Sequence, residues 1–540
     1  MDTEGGVGPA SIPALLKETA ERHGDLGAIV DGPEGQSFDD LYWRSLTVGA
    51  ALVGAGVEVG DRVAIWAPNS ARWIEAAHGL WASGAVLVPI NTRFKGAEAH
   101  ELLRRSGARV LITTSDFLGT DYMAMLDAAT TELGELPALE TVVDIDGPPW
   151  ADFLLERSGR SEAEAERLHA EHLEEAKRRS AALGPDDRSD LLFTSGTTGV
   201  PKGVVMTHGR TLRVASDWVA MTGLQAGDRY LMVNPYFHMF GLKAGILAAT
   251  AAGATMYPEP VFDVDRALAR VAAEQITVFP GAPTIYQAIL DHPDRDRHDL
   301  SSLRVAVTGA ADIPVRLIER IREELPFSVV ITGYGLSEAG TASATTPDDD
   351  AGIVATTVGR ARPGFEIRIV DDDRDLPAGE AGEVVLRGPS VMAQYLDDPT
   401  ATEEALSPDG WLRTGDLGVL DERGNLRIVG RIKDMFIVGG FNAYPAEIEN
   451  ALLRHPDIQQ AAVIGIPDER LGEVGMAFVV TRSGDSGAGA AILSWCREEM
   501  ANYKVPRAIE IVTELPVNAT GKVVKDELRA RVGPTGEGRS

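Results

Sequence analysis

Short apolar runs alternate along the chain with longer stretches of helical periodicity. The runs are RVAIWAPNS near residue 62, GAVLVPIN near 84, RVLITTS near 109, DLLFTS near 190, RYLMVNP near 229, ITVFPGAP near 276, RVAVTGA near 304 and SVVITGYG near 328. Strands that alternate with helices predict an α/β architecture with largely parallel sheets. Ligands of such sheets bind beyond the carboxyl ends of the strands, so the loops after these runs are candidate binding sites.

The pattern changes from about Val358, where short strands are separated by glycines (EIRIVDDD, GEVVLRGP and GNLRIVGR). These strands predict a small β subdomain. After Arg431 a further α/β segment contains the strand-like runs AAVIGIP and MAFVVTR and a helix predicted from Ala490 to Met500. We therefore place a domain boundary near residues 430–433.

The stretch SEAEAERLHAEHLEEAKRRSAAL, residues 161–183, predicts a surface helix. Ser161 and Glu164 have the spacing of a capping box at its start. His169 and His172 lie three residues apart on one face and are possible metal ligands. A solvated helix face is the favoured interpretation, because no third ligand accompanies them.

Composition and charge narrow the classes of function. The 540 residues include 51 Lys and Arg against 81 Asp and Glu, a formal charge of −30, and a single cysteine. This charge disfavours nucleic acid and anionic membranes as partners, although a phosphate ligand can still bind locally. One thiol excludes an internal disulfide and a cysteine-based zinc cluster. No basic segment followed by an apolar one opens the chain, and the apolar run from Leu242 is shorter than the ~20 residues of a membrane span. We expect a cytoplasmic protein with no integral membrane association.

The segment TSGTTGVPKG, residues 194–203, follows the strand-like DLLF and is the first candidate site. Its hydroxyls, glycines and lysine form a loop rich in donors for phosphate oxygens. The candidate phosphate-binding residues are Thr194, Ser195, Gly196, Thr197, Thr198 and Lys202. The loop is not a P-loop, which would need glycine at Pro201 and serine or threonine at Gly203. An ordinary polar loop is the alternative.

The segment TGYGLSEA, residues 332–339, permits two interpretations. Gly335 and Ser337 nearly complete the nucleophile elbow of a hydrolase, but the only later histidine is His455, in the helix-like LLRHPDI. Alternatively, Tyr334 stacks on a flat ring while Glu338 binds Mg²⁺ through its carboxylate. Three further segments carry little weight alone: TGD at 414–416, GRIKD at 430–434 followed by GGFN at 439–442, and NATGK at 518–522.

Taken together, these segments resemble the adenylate-forming superfamily of acyl-CoA synthetases, luciferases and peptide-synthetase adenylation domains. The resemblance rests on TSGTTGVPKG, YGLSE, TGD, GRIKDMFIVGGFNAYPAEIE and NATGK in this order, and it extends over about residues 12–531. It implies an α/β fold with a large N-terminal domain of parallel-rich subdomains plus a small β subdomain (residues 1–430), a hinge (431–433) and a small mobile α+β lid domain (434–540).

The same resemblance implies an ATP-dependent acyl-CoA ligase. A carboxylic acid would react with ATP to give an acyl adenylate, and coenzyme A would then displace AMP after the lid rotates. The implied cofactors are ATP, Mg²⁺ and coenzyme A, the implied partners are small molecules, and a homodimer is left open. The roles carried over by position are Thr194 and Thr198 near the phosphates, Ser337 facing the α-phosphate, Glu338 binding Mg²⁺, Gly309, Ala310, Ala311 and Tyr334 around adenine, Gly333 and Gly335 in the segment that walls the acyl pocket, Asp416 and Arg431 at the ribose, Lys433 at the hinge, Gly439 and Gly440 at the pantetheine tunnel, and Lys522 bridging carboxylate and α-phosphate.

His238 bears on the branch of the family. Adenylation domains for α-amino acids usually have aspartate here, whereas acyl-CoA synthetases have histidine; a packed histidine is the alternative role. The segments FHMFGLKAGIL, FPGAPTIYQAILDHP and GGFNAYPAEIE look similar to actinobacterial ligases that activate the propanoate side chain of a two-ring steroid remnant. The remaining alternatives are a short- or medium-chain fatty acid as substrate, a stand-alone adenylation enzyme, a hydrolase acting through Ser337, and a non-catalytic nucleotide-binding protein.

Overall fold

The computed structural model describes residues 8–33, 35–155, 161–194, 201–309, 315–438, 441–468, 470–518 and 523–532. Residues 8–155 contain α1 (Ile12–His23), β1 (Gly27–Val30), β2 (Gly35–Ser37), α2 (Phe38–Gly54), β3 (Arg62–Trp66), α3 (Ala71–Ala82), β4 (Val86–Pro89), α4 (Gly96–Ser106), β5 (Val110–Thr113), α5 (Tyr122–Leu133), β6 (Thr141–Asp144) and α6 (Pro148–Leu154). Residues 161–309 contain α7 (Glu162–Ala182), β7 (Arg188–Thr194), β8 (Lys202–Thr207), α8 (His208–Thr222), β9 (Arg229–Met232), α9 (Met239–Gly241), a π-helix (Leu242–Leu247), α10 (Ala248–Ala252), β10 (Thr255–Pro258), α11 (Val264–Glu274), α12 (Pro283–Leu290), a 3-10 turn (Arg295–Arg297) and β11 (Val305–Gly309).

The second half of the chain begins with strands and ends in a smaller unit. Residues 315–431 contain α13 (Val315–Glu324), β12 (Val329–Leu336), β13 (Gly340–Ala344), α14 (Ala351–Thr356), β14 (Arg360–Ala361), β15 (Glu366–Asp371), β16 (Arg374–Asp375), β17 (Gly382–Arg387), β18 (Gln394–Tyr395), α15 (Pro399–Ala405), β19 (Leu412–Leu420) and β20 (Leu426–Arg431). Residues 432–532 contain a 3-10 turn (Ile432–Asp434), β21 (Phe436–Val438), β22 (Phe441–Ala443), α16 (Pro445–Leu452), β23 (Ile458–Asp468), β24 (Gly472–Thr481), α17 (Gly489–Glu499), β25 (Ala508–Ile511) and α18 (Lys525–Val532).

A seven-stranded sheet with the order β18-β8-β7-β4-β3-β5-β6 forms one layer of the large unit. The strands from β7 to β6 run parallel, and β8 reverses direction against β7. Its register places Thr194, at the end of β7, opposite Lys202, at the start of β8. The two ends of the TSGTTGVPKG segment therefore meet at the carboxyl edge of the parallel strands.

A second mixed sheet is built from the four-stranded groups β2-β1-β10-β9 and β11-β12-β13-β14. The strand predicted for ITVFPGAP near residue 276 is wrong: only Val278 pairs, in isolated parallel bridges with Tyr230 and Val305. Pro280 and Pro283 lack backbone N–H donors, so this segment cannot extend a strand ladder. The two bridges at Val278 nonetheless join the two groups.

The small β subdomain predicted from Val358 is an antiparallel sheet, β16-β15-β17-β19-β20. The C-terminal unit has its own sheet, β22-β21-β24-β23, with β25 parallel to β24. The helix predicted from Ala490 to Met500 lies one residue earlier, at Gly489–Glu499. The architecture is therefore mixed α/β with several sheets and a small C-terminal α+β unit, as predicted.

Helix starts follow local capping chemistry in most of the large unit. The side chains of Ser11, Ser70 and Asp121 accept hydrogen bonds from the first-turn backbone of α1, α3 and α5. Ser161 occupies the cap of α7, as predicted, but its side chain makes no capping hydrogen bond. The capping box predicted for Ser161 and Glu164 is therefore absent, although the helix forms over Glu162–Ala182.

The core of the large unit lies between these layers and includes three fully buried tryptophans, Trp66, Trp73 and Trp81. Burial of each large apolar side chain contributes about 1.5–3 kcal/mol to folding. No helix among the described residues combines the length and apolar character needed to cross a bilayer.

Candidate active site

The ends of the TSGTTGVPKG segment are held by strand pairing. Thr194 and Lys202 face each other across β7 and β8, and the Thr194 hydroxyl lies 3.5 Å from the Lys202 carbonyl oxygen. Both residues are half-buried. The predicted phosphate-binding residues between them, Ser195, Gly196, Thr197 and Thr198, lie outside the described residues.

Glu338 is linked to Lys202, a described end of this segment, through Tyr395, which no motif marks. The Tyr395 hydroxyl donates to Glu338 Oε1 at 3.1 Å, and Lys202 Nζ lies 4.9 Å from the centre of the Tyr395 ring. The Met392 backbone N–H donates to the Glu338 carbonyl at 2.6 Å. Strand β18 carries Tyr395 into place by pairing it with Val204 of β8. Lys202 over the face of the Tyr395 ring and Glu338 at its hydroxyl are thus brought close to one another.

Burial sets the electrostatic character of Glu338. It raises the pKa of the carboxyl, and the hydrogen bond from Tyr395 opposes that rise only in part. A buried carboxylate that is short of positive partners has a favourable interaction with a cation. The described residues contain no group of three or more His, Cys, Asp or Glu side chains placed to hold a metal. A lone carboxylate nevertheless fits Mg²⁺, which is commonly held by one or two carboxylates together with substrate phosphates.

A second cluster joins β12 to the small β subdomain. The Tyr334 hydroxyl donates to Asp416 Oδ2 at 2.5 Å, and Arg431 Nε lies 2.9 Å from Asp416 Oδ1. Asp416 and Arg431 are register partners on β19 and β20. The Asp416 N–H in turn donates to the Thr414 hydroxyl at 3.1 Å. Burial, followed by the neighbouring Asp416 charge, raises the pKa of Tyr334 well above its usual value, so this phenol is a permanent donor.

Glycines allow β12 to approach its neighbours closely. Gly309, at the carboxyl end of β11, pairs with Gly333 of β12. A Cβ added at Gly335 would lie 2.8 Å from the Gly340 carbonyl oxygen, so only glycine fits there without a backbone shift. The register shifts between Tyr334 and Gly335, which tilts the end of β12. Ser337 follows this tilted end and is half-buried. The other residues predicted near adenine, Ala310 and Ala311, lie outside the described residues.

His238 stands at the start of a tightly folded segment. Its Nδ1 accepts from the Phe240 N–H at 3.2 Å, and its carbonyl accepts from the Leu242 N–H at 2.9 Å. The ring therefore caps α9, six residues after β9 ends, rather than lying directly at a strand end.

The predicted hinge lies where the large unit meets the C-terminal unit. Lys433 is exposed in the 3-10 turn Ile432–Asp434, and Asp434 pairs with Arg529 of α18 at 2.8 Å. Arg93 of the large unit donates to the Asn518 carbonyl at 3.0 Å, at the start of the NATGK segment. Gly439, Gly440 and Lys522 lie outside the described residues.

The hydrolase interpretation of Ser337 finds no support in the position of His455. Residues LLRHPDI are not helical beyond Leu452, contrary to the expectation from sequence. His455 lies in a turn of the C-terminal unit, where Nδ1 accepts from the Asp457 N–H and the ring packs edge-on against Trp495 at 5.1 Å. The imidazole is therefore engaged in the C-terminal unit, away from the elbow.

Lys202 close to the half-buried carboxylate of Glu338, the Asp416–Arg431 pair on neighbouring strands, and a small C-terminal unit attached through an exposed turn are the arrangement expected of an adenylate-forming enzyme. The family described as AMP-binding enzyme matches residues 16–396, and its C-terminal domain, AMP-binding enzyme C-terminal domain, matches residues 447–522. The chain belongs to this family and is an AMP-forming acyl-CoA ligase, which uses ATP and coenzyme A.

Relatives of known activity match over nearly the full length. A 3-[(3aS,4S,7aS)-7a-methyl-1,5-dioxo-octahydro-1H-inden-4-yl]propanoyl:CoA ligase of Rhodococcus jostii is 46% identical over 532 residues, covering 96% of this chain and 98% of that protein. The ligase of the same name from Mycobacterium tuberculosis is 47% identical over 526 residues, covering 96% and 98%. Among solved structures, ATP-bound MatB from Rhodopseudomonas palustris has a TM-score of 0.84 at 27% identity, covering 97% of this chain and all of that one.

Proposed function

We propose that this ligase activates a bicyclic propanoate, the two-ring acid named in the activity of its Rhodococcus and Mycobacterium relatives. The observation that carries the proposal is their 46–47% identity along nearly the whole chain. The segment around His238 supports it, because residues 237–240 are half-buried and can line a pocket for fused rings, while residues 241–247 are buried behind them and are apolar apart from Lys243. The same proposal places the enzyme in the cytoplasm, where ATP and coenzyme A are available.

The proposed reaction has two steps. A carboxylate oxygen of the acid attacks the α-phosphorus of ATP, the bond from that phosphorus to the β-bridging oxygen breaks, and pyrophosphate leaves. The coenzyme A sulfur then attacks the acyl carbon, the bond to the adenylate oxygen breaks, AMP leaves, and the thiol proton is released. Charge builds on the α-phosphoryl oxygens in the first step, so donors and cations fixed in advance lower its barrier.

Each group of site residues has a proposed task. The loop from Thr194 to Lys202 holds the phosphates, and Ser337 faces the α-phosphate. Glu338 is the Mg²⁺ ligand, and the metal would neutralise phosphate charge when bound. Its carboxylate already lies beside Lys202 through Tyr395, which suits a shared phosphate site.

The nucleoside is proposed to lie along the end of β12. Adenine would stack on Tyr334 against the turn after Gly309, with Gly333 and Gly335 permitting close approach. The ribose hydroxyls would donate to Asp416, whose oxygens already accept from Tyr334 and Arg431. Each carboxylate oxygen has a second lone pair, so these contacts leave capacity for the sugar.

The domain movement is proposed to take place at residues 431–433, between a large domain (1–430) and a lid (434–540). Lys433 would absorb the rotation, Lys522 would bridge carboxylate and α-phosphate before it, and Gly439 and Gly440 would approach the pantetheine arm after it. The bond from Arg93 to Asn518 brings the start of the NATGK segment to the large domain, which favours the adenylation arrangement.

A panel of acids tests the substrate. The purified enzyme is given ATP, MgCl₂ and coenzyme A with the bicyclic propanoate, a steroid side-chain acid, octanoate or an aromatic acid, and AMP release is measured. We expect kcat/KM for the bicyclic acid to exceed the others by about tenfold or more, since a pocket shaped for fused rings loses contacts with a flexible chain. A preference for octanoate would replace this substrate with a medium-chain fatty acid.

Lys522→Ala separates the two half-reactions. Loss of a cation at the α-phosphate should lower acid-dependent ATP–pyrophosphate exchange by about a hundredfold or more. Conversion of supplied acyl adenylate and coenzyme A into thioester should remain within a few-fold, because the lysine is assigned to the first step only. Lys17→Ala, which removes an exposed lysine of α1, is the control. Equal loss of both half-reactions in Lys522→Ala would contradict the assignment.

A further inference from the structure

A completely buried ion pair lies behind the segment that follows His238. Lys243 Nζ is 2.8 Å from Asp190 Oδ1, and both side chains are 0% exposed. The second oxygen of Asp190 accepts from the hydroxyls of Ser189 and Thr211, each at 2.7 Å. Neither Nζ nor Oδ1 has another hydrogen-bond partner among the described residues. The carboxylate is thus held in one orientation, and the lysine has a single partner.

Lys243 belongs to the π-helix Leu242–Leu247, in which every residue is buried. Single π-turns are rare in proteins, and many of those that occur lie at functional sites. The turn is connected rigidly to His238, because the Leu242 N–H donates to the His238 carbonyl. At Gly241 an added Cβ would lie 2.1 Å from the Pro235 carbonyl oxygen, so the chain is packed against itself there. A rotation of the π-helix would therefore move His238.

Asp190 belongs to a strand that cannot easily move. It is paired on one side with Leu87 of β4 and on the other with Met206 of β8. Four residues later the same strand ends at Thr194, where the candidate phosphate loop begins. The ion pair therefore links the segment proposed to wall the acyl pocket to the strand that carries the phosphate loop.

Stability does not explain this pair. Transfer of two charges into the interior often costs more free energy than their attraction returns, and apolar pairs of similar volume are commonly as stable. Apolar neighbours such as Leu242 and Ile246 can pack in several rotational settings. A setting that moved Lys243 away from Asp190 would leave two buried charges unpaired at a cost of several kcal/mol, so the pair selects a register rather than adding to cohesion.

We propose that Lys243 and Asp190 form a positioning pair that fixes the rotation of Leu242–Leu247 relative to the phosphate loop and thereby determines which acid fits. The pair touches no substrate itself; it acts through the pocket wall and His238. The inference rests on the proposed function, since it assigns this segment to the acyl pocket.

The test is a neutral replacement, Lys243→Met with Asp190→Asn, in which asparagine still accepts from Ser189 and Thr211. The ratio of kcat/KM for the bicyclic propanoate to that for octanoate is measured by ATP–pyrophosphate exchange, together with KM for ATP and the melting temperature. We expect the ratio to change by about tenfold or more while KM for ATP stays within about twofold, because the pocket wall moves and the nucleotide site does not. An unchanged ratio would overturn the proposal.

Two further variants guard against a general loss of structure. Asp190→Glu keeps both charges but lengthens one partner by a methylene, and it should also shift the acid ratio. Arg304→Met with Asp228→Asn removes a pair at the amino-terminal starts of β9 and β11, away from the carboxyl ends where the site lies, so it should lower the melting temperature without shifting the ratio. Equal shifts in this control would overturn the proposal. Failure of the wild-type enzyme to activate any acid would instead contradict the proposed function.

Discussion

At the scale of single residues, Glu338 combines two opposed properties. Its burial raises the pKa of the carboxyl, which disfavours the charged form, yet the proposed role needs the charged form. Without a bound cation, the ionised side chain destabilises the folded protein. It would interact favourably with the Mg²⁺ that accompanies ATP. Perturbed carboxyl groups beside a loop of donors are typical of functional sites.

Glu338→Gln should therefore lower activity and raise stability together. The amide can still accept from Tyr395 but cannot ligate Mg²⁺ as a carboxylate does, so we expect kcat/KM for ATP to fall by about a hundredfold or more. At pH 7 the melting temperature should rise, because an ionised group that prefers the unfolded chain has been removed. Activity assays across MgCl₂ concentrations and thermal unfolding check the two halves.

The raised pKa of Glu338 determines how this gain in stability depends on pH. The pKa of Glu338 is raised in the folded state, so the wild-type protein is destabilised by this group above the folded pKa and the penalty disappears as pH falls through the unfolded value. The variant's advantage should thus be largest near neutral pH and absent near pH 4, close to the ordinary glutamate value. A constant difference at both pH values would contradict burial as its cause.

The residue types of the site could be predicted from sequence, whereas their partners could not. Motif order pointed to Glu338, Asp416 and Arg431, and the last two are indeed neighbours. Tyr395 carries no motif signal: it reaches Glu338 only because a two-residue strand pairs with β8. Asp190 and Lys243 could not be predicted as a pair either, since they are separated by 52 intervening residues and meet only because the π-helix packs against β7.

At the scale of elements, the 3-10 turn Ile432–Asp434 separates two units with their own sheets. The strand β20 ends at Arg431 in the small β subdomain, and Phe436 begins β21 in the C-terminal sheet. Asp434, the last residue of the turn, pairs with Arg529 of α18, so the turn is fixed to the C-terminal unit at this point. Rotation of the lid would then have to occur at Ile432 and Lys433.

Lys433→Pro tests the turn as the hinge. Proline fixes its own φ near −65° and restricts the residue before it, so the backbone change needed for rotation is blocked. Acid-dependent ATP–pyrophosphate exchange should stay within a few-fold of the wild-type rate. Thioester formation should fall by about a hundredfold or more, since it depends on the rotation of the lid. Lys433→Ala, which keeps backbone freedom, should retain both. Normal thioester turnover in the proline variant would show that the lid does not rotate at this turn.

The success of element prediction followed the strength of the local pattern. Short continuous apolar runs correctly predicted β3, β5, β9 and β12, because a strand that is buried on both faces carries apolar residues at successive positions. The run at 276 failed because its prolines cannot join a ladder, and only Val278 pairs. The π-helix could not be predicted, since one extra residue in a buried turn leaves the apolar pattern unchanged.

At the scale of the whole molecule, a formal charge of −30 surrounds a site that binds two polyanions. The cations proposed for the site are few, Lys202, Arg431 and Lys522, and Arg431 is already paired with Asp416. The long-range field therefore opposes the approach of ATP and coenzyme A, while the local cations act only at contact. Added salt should weaken the long-range repulsion before it weakens the local attraction, because the screening length falls as ionic strength rises.

Ionic strength should consequently raise, not lower, kcat/KM for coenzyme A at low salt. Between about 0.01 M and 0.1 M salt the screening length falls from about 30 Å to about 10 Å, which removes most of the repulsion before the ligand reaches the cleft. Pantetheine, which carries the same thiol without phosphates, is the control, and its kcat/KM should stay flat over this range. Thioester formation from supplied acyl adenylate isolates the step. A fall in kcat/KM for coenzyme A with rising salt would mean that basic side chains near the cleft dominate the field that the ligand meets, and that the overall acidity of the surface has no part in its capture.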